Sequence, residues 1–186
     1  MRIVSKWQEG LAPDDAGKIG EALAFNTWKI AVKSVRSMQD ERLYFVSKSQ
    51  GLLVMAEFMI FAVHIADRLA HNNMTEPDRG RFIKTMADRC IDVLVDNRRE
   101  LQGPAGDYRD SFVKAFNVRL NDYAEFDFDP GTGPGFKFYR YLGENISRIM
   151  GDDQNNKWAI DQVVEIEGPD VYESLRKSME TLSAKT

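Results

Sequence analysis

Four residues of one apolar segment have side chains that could bind a metal ion or transfer protons: Glu57, His64, Asp67 and His71. Both histidines of the chain belong to this set. If the segment is a helix, with about 100° between successive residues, the four side chains fall within an arc of roughly 80°. They therefore form a polar stripe on a helix that is otherwise apolar.

The spacing along this helix limits how the stripe could hold a metal ion. His64 and His71 would lie about 10 Å apart along the axis, too far to share one ion. Asp67 could chelate with either histidine, and further ligands would have to come from another helix. The two Glu-x-x-His motifs of di-iron bundles are missing, because Phe61 and Arg68 stand where the glutamates would be. Asp67 and His71 are the candidate metal ligands.

We favour a simpler interpretation, in which the stripe is the one side of the helix that meets water or a polar layer. Lines of charged residues are common on the helices of bundles. The alternatives are a metal site and a polar pocket that contacts a ligand or performs catalysis. If the stripe is buried, its members need partners, because an unpaired polar group in a core is costly.

Two further features suggest chemistry only superficially. Cys90 is the only cysteine and occupies a core-like position near Asp88 and Asp92, so we expect a packed, inert thiol. The segment DFDPGTGPG at 127–135 is rich in acidic and glycine residues. It has neither the EF-hand spacing nor the Walker pattern, and we expect a structural turn.

Helical periodicity and capping signals account for most of the chain. We expect helices at about 13–38, at 40–71 with a possible bend at Gly51, and at 75–103 and 107–125. After the loop at 127–135, a hairpin and a helix through Phe138 and Ile149 are both possible, and we favour the helix. A helix at 158–166 should be broken by Gly168 and Pro169 from a last helix ending near 182, although VVEIE could be a strand.

These elements predict an all-α fold: a single-domain bundle of five to seven helices over residues 1–186. A minor β-hairpin or short strand beside the Gly/Pro-rich loop at 127–135 is compatible with this fold. The formal net charge of −4 argues against nucleic-acid binding. The longest apolar run, 51–66, is too short to span a bilayer. No signal-peptide pattern is visible at the N-terminus, and we expect a cytoplasmic protein.

The content of Phe and Met is high for a charged helical bundle, with 11 Phe and 8 Met residues. Met55, Phe58, Met59 and Phe61 either line an adaptable ligand cavity or fill the core, and we favour the core. A second copy of the chain could also cover surplus apolar surface.

No complete family motif and no cofactor signature is present. The sequence therefore predicts a helical binding protein that self-associates as a homodimer and holds a small apolar ligand or a protein partner. The alternative is an enzyme or metal-binding protein that uses His64, Asp67 and His71.

Overall fold

The computed structural model describes residues 16–151 and 156–183, most of which are helical. The helices are α1 (Ala16–Asp40), α2 (Lys48–Ala70), α3 (Glu76–Gln102), α4 (Tyr108–Ala124), α5 (Phe136–Met150), α6 (Ala159–Gln162) and α7 (Gly168–Ser183), with a π-helical turn (Val163–Glu167) between the last two. The predicted all-α bundle with a minor hairpin is confirmed. The expected start of the first helix near Pro13 lies outside the described residues.

The central element is α2, which packs against α1, α3, α4, α5 and α7. Every residue from 54 to 66 is buried, as expected of a helix that is apolar on nearly every face. Phe58, Met59 and Phe61 belong to the core and are at most 1% exposed. Neither α2 nor any other helix in the described ranges is long and apolar enough to cross a membrane.

The prediction that the second helix begins at Asp40 is wrong, because α1 continues to that residue and then ends sharply. Arg42 has a φ angle of 67°, in the left-handed region. The N–H groups of Arg42 and Leu43 donate to the carbonyls of Gln39 and Met38, both at 3.0 Å. This is the Schellman type of helix end, which usually has glycine at the left-handed position. An arginine there gave no sequence signal.

The side chains of Ser47 and Gln50 cap the first turn of α2. Ser47 Oγ accepts a hydrogen bond from Gln50 N–H at 3.1 Å, and Gln50 Oε1 accepts one from Val46 N–H at 2.7 Å. Gln50 Nε2 also donates to the carbonyl of Ile149 at 3.0 Å, near the end of α5. Gly51 lies in this capped turn, and the helix continues through it without a break.

The predicted break at Gly168 and Pro169 is also wrong, as is the alternative of a strand at VVEIE. The chain stays helical through a π turn, in which Gly168 N–H donates to the carbonyl of Val163. A proline inside an α-helix loses one hydrogen bond and crowds the preceding turn, and the wider π turn offsets both effects. Gly168 also allows close packing, because a Cβ there would lie 2.5 Å from the ring of Tyr139.

The loop before α5 contains the minor hairpin as well as the predicted turn. Strands β1 (Phe128–Asp129) and β2 (Gly133–Pro134) pair antiparallel. Asp129 Oδ1 accepts hydrogen bonds from the N–H groups of Gly131 and Thr132, both at 2.8 Å. These hydrogen bonds lower the pKa of the Asp129 carboxyl. Its carboxylate holds the turn, and the favoured helix, α5, begins directly after it.

The single cysteine has the predicted environment. Cys90 lies on α3 and is fully buried. Burial raises the pKa of its thiol well above the ordinary value. The thiol is therefore a packed core group and not a nucleophile.

Candidate functional site

The four residues of the polar stripe lie along α2 and its C-cap, but they contact different partners. Glu57 and His64 are each only 5% exposed. Asp67 lies at the edge of the core, and the side chain of His71 is 60% exposed. The structure therefore divides the stripe into a buried half and a solvent-facing half.

Glu57 forms a buried ion pair with Arg119 of α4. Arg119 Nε lies 3.2 Å from Oε1 and 3.1 Å from Oε2, and Nη2 lies 3.1 Å from Oε1. Burial raises the pKa of the Glu57 carboxyl, and Arg119 acts in the opposite direction. Arg119 also lies over the ring of Tyr141 at 5.8 Å. The pair joins α2 to α4 inside the bundle.

His64 is part of an aromatic cluster centred on Tyr123. The imidazole stacks on the Tyr123 ring with 5.3 Å between centroids, and Phe138 lies 5.7 Å away. Tyr123 also contacts Phe61 and Phe126 edge-on, at 5.9 Å and 6.0 Å. The cluster brings α2, α4 and α5 together.

Burial in this cluster keeps the imidazole of His64 neutral. Desolvation by burial lowers the pKa of His64 to about 4, and the positive charge of Arg68 adds to the effect. Burial also raises the pKa of the Tyr123 hydroxyl well above its ordinary value. Within residues 16–151 and 156–183, neither His64 Nε2 nor the Tyr123 hydroxyl has a hydrogen-bond partner. Both groups are uncharged at neutral pH.

The outer half of the stripe forms surface ion pairs. Arg79 Nη1 lies 2.7 Å from Asp67 Oδ1, and His71 Nδ1 lies 3.9 Å from Glu76 Oε1. Among residues 16–151 and 156–183, no group of three or more potential metal ligands is present. Metal binding by Asp67 and His71 stays a prediction, which elemental analysis of purified protein tests.

A pocket of about 370 Å³ lies elsewhere, between α1 and the start of α2. Its walls are mainly apolar and combine residues of both helices with the loop that joins them. The lining residues are Val32, Val35, Arg36, Gln39, Phe45, Ser47, Lys48, Gly51 and Met55. This volume is within the range of pockets that hold small organic molecules.

Gly51 is the residue that opens this pocket. It is buried, yet a Cβ at its position would meet no described atom within 4 Å beyond its two chain neighbours and the nearby backbone of its own helix. Other buried helix glycines serve packing: at Gly20, a Cβ would lie 2.5 Å from the carbonyl oxygen of Phe82. A glycine in the interior of a helix lowers helix stability by roughly 0.5–1 kcal/mol relative to alanine, and Gly51, in the first turn of α2, costs up to that amount. No contact with another helix requires a glycine at position 51, and the space left by the missing side chain is part of the pocket.

The charges of the pocket are all of one sign. Arg36 and Lys48 line it, and no acidic residue does. Neither cation forms a hydrogen bond or ion pair with another residue of the described ranges. The pocket thus combines an apolar interior with two free positive groups, which suits a molecule that has an apolar body and an acidic head.

Sequence reasoning missed this pocket, although two of its residues attracted attention. Gly51 suggested a bend, and Met55 was one of four candidates for an adaptable cavity. Met55 does line the pocket, whereas the other three fill the core, as we favoured. The signal that could have found the site is a glycine on the buried side of a well-capped helix.

Comparison with known protein families, with curated proteins and with solved structures finds no match to this chain. The function therefore has to be argued from the site.

Proposed function

We propose that this protein binds a small amphipathic molecule, with an apolar body and an acidic head group, in the pocket between α1 and α2. The observation that carries the proposal is Gly51, a buried residue of a helix whose missing side chain leaves open space. Without a ligand, this position would be filled more favourably by alanine or leucine. An occupant of the pocket would supply the missing contacts.

The walls of the pocket support the choice of ligand. Val32, Val35 and Met55 offer apolar contact to a hydrocarbon or aromatic body. Arg36 and Lys48 offer charge-assisted hydrogen bonds to a carboxylate or sulfonate head. Both cations are exposed, so the head group would lie at the mouth of the pocket and the body inside.

The test uses octanoate and its neutral counterpart 1-octanol, measured by isothermal titration calorimetry. Wild-type protein should bind octanoate more tightly than octanol. The variant Gly51→Leu fills the pocket and should lose octanoate binding. The matched control is Gly80→Leu, because Gly80 is an exposed helix residue whose Cβ would also have open space. This control should bind like the wild type.

Two results would contradict the proposal. The first is the absence of octanoate binding to the wild-type protein at millimolar concentration. The second is equal binding by Gly51→Leu and Gly80→Leu, which would place the ligand elsewhere. The double variant Arg36→Gln, Lys48→Gln tests the contribution of the acidic head group to binding, since it should reduce the preference for octanoate over octanol.

Self-association is a second candidate, favoured by large apolar side chains on the surface. Tyr44, Val46 and Trp158 are 54%, 62% and 65% exposed. Tyr44 N–H donates to Asn156 Oδ1 at 3.1 Å, which brings the loop of Tyr44 and Val46 next to the segment before Trp158. We take this group of three side chains as the contact surface of a homodimer.

The cytoplasm is the proposed location.

A further inference from the structure

The pocket between α1 and α2 follows both helices for about two turns. Its α2 wall runs from Lys48 through Gly51 to Met55, at spacings that place the three residues on one face of the helix. Its α1 wall runs from Gln39 back to Val32. Each wall spans seven residues, which corresponds to about 10 Å along the helix axis. The pocket is therefore elongated along the two helices.

The two ends of the pocket differ in polarity. Because α1 ends and α2 begins at the connection 41–47, the end of the pocket nearest this connection is formed by the last turns of α1 and the first turn of α2. The residues that line this end are exposed and polar: Arg36, Gln39, Ser47 and Lys48. At the other end, Val32 is half-buried and Met55 is only 4% exposed. The polar end suits a charged head group, and the apolar end suits the far end of a hydrocarbon body.

Met55 separates the apolar end of the pocket from the core. It follows Gly51 by one helical turn, so the space left by the missing side chain of Gly51 lies between the polar end and Met55. One turn further along α2, Phe58 and Met59 are at most 1% exposed and belong to the core. Neither of these two residues lines the pocket. Met55 is therefore the last residue of α2 that a ligand in the pocket would contact.

We infer that the ligand is an unbranched carboxylic acid of about the length of octanoate, and that Met55 sets its chain length. This inference rests on the proposed function. The chain lies along α1 and α2, with its carboxylate at Arg36 and Lys48 and its methyl end against Met55. A longer chain has to displace the Met55 side chain or move its head group away from the cations. A branched isomer is shorter and wider than the pocket.

The experiment measures the binding of hexanoate, octanoate and decanoate by isothermal titration calorimetry, below the concentrations at which these acids form micelles. Each methylene group that becomes buried should tighten binding about fourfold. The wild-type protein should therefore bind octanoate about 15-fold more tightly than hexanoate, with little further gain for decanoate. The branched isomer 2-propylpentanoate should bind about tenfold more weakly than octanoate.

Two variants should move the preferred chain length in opposite directions. Met55→Ala extends the apolar end of the pocket and should restore the gain from octanoate to decanoate, about 15-fold. Val32→Phe shortens the pocket from the α1 side, so that binding stops improving at hexanoate. Because Val32 is only half-buried, this variant keeps the test informative if Met55→Ala does not fold. The matched control is Met86→Ala, since Met86 is a fully buried methionine of α3 that does not line the pocket.

The outcomes separate this inference from the proposed function. If the wild-type protein does not bind octanoate, the proposed function fails and the inference fails with it. If octanoate binds, but Met55→Ala and Val32→Phe keep the chain-length dependence of the wild type and of Met86→Ala, only the inference is overturned. Binding of 2-propylpentanoate as tight as that of octanoate would also overturn it.

Discussion

Arg119 of α4 holds the carboxylate of Glu57 of α2 through two nitrogen atoms, with contacts of 3.1–3.2 Å. The Glu57 side chain is 6% exposed, and the Arg119 side chain is 21% exposed. The pair is thus largely removed from water, in contrast to most ion pairs of the described residues. Its removal from one side should be costly, because the remaining charge is left without a partner.

The variant Arg119→Met should lower the free energy of unfolding by about 3–5 kcal/mol. The matched control is Arg109→Met, which breaks exposed pairs with Asp88 and Asp92 and should cost less than about 1 kcal/mol. Urea denaturation of both variants measures the difference. Equal losses would show that the buried pair contributes no more than a surface one.

His64 should make stability depend on pH. Its pKa is lowered from 6.5 to about 4 in the folded protein. Between these values the unfolded chain binds a proton that the folded chain does not, so this stability is present above pH 6.5 and is lost as pH falls toward 4. The lost free energy is about 3 kcal/mol.

The variant His64→Phe should lack this part of the pH profile, measured by denaturant unfolding between pH 4 and pH 7. The control His71→Gln should keep it, because His71 is exposed and lies outside the aromatic cluster. If the profiles of His64→Phe and the wild type coincide, His64 is not held neutral by burial.

Phe58 should be among the side chains that stabilise the core most. It is 1% exposed on the central helix, so Phe58→Ala should cost about 3–5 kcal/mol. Phe136→Ala is the control, since Phe136 is 65% exposed and its removal should change stability by less than about 1 kcal/mol. Thermal or urea unfolding compares the two, and a loss below about 1 kcal/mol for Phe58→Ala would contradict its packing.

Light scattering tests the proposed homodimer. At micromolar concentration, the molar mass should be twice the 21.3 kDa of one chain. Trp158→Ser should shift the mass toward that of one chain, while Val118→Ser, at an exposed apolar position of α4, should not. A wild-type mass near 21.3 kDa would contradict the proposal.

The sequence predicted the elements whose signals are local. The helix expected at 75–103 begins there, and Thr75 accepts a hydrogen bond from Asp78 N–H at the start of α3. The sequence did not predict the left-handed turn at Arg42 that follows α1, because a left-handed arginine carries no signal. The prediction of a helix break at Pro169 was also wrong. A π turn depends on the packing around the helix, and the residues beside the proline do not reveal it.

The candidate sites depended on tertiary structure in a similar way. The helical spacing placed Glu57 and His64 on one stripe of α2. It could not show that Arg119 of α4 pairs with Glu57, or that Tyr123 of α4 stacks on His64.

The side chain of Gln50 links two turns of the chain that are distant in sequence. It bonds the backbone before α2 on one side and the carbonyls of Ile149 and Met150, at the end of α5, on the other. Local unfolding of either turn breaks bonds of both, so their amides should exchange with solvent as one cooperative unit. The mouth of the pocket between α1 and α2 belongs to that unit, and a ligand bound there would slow exchange at the end of α5 without touching it.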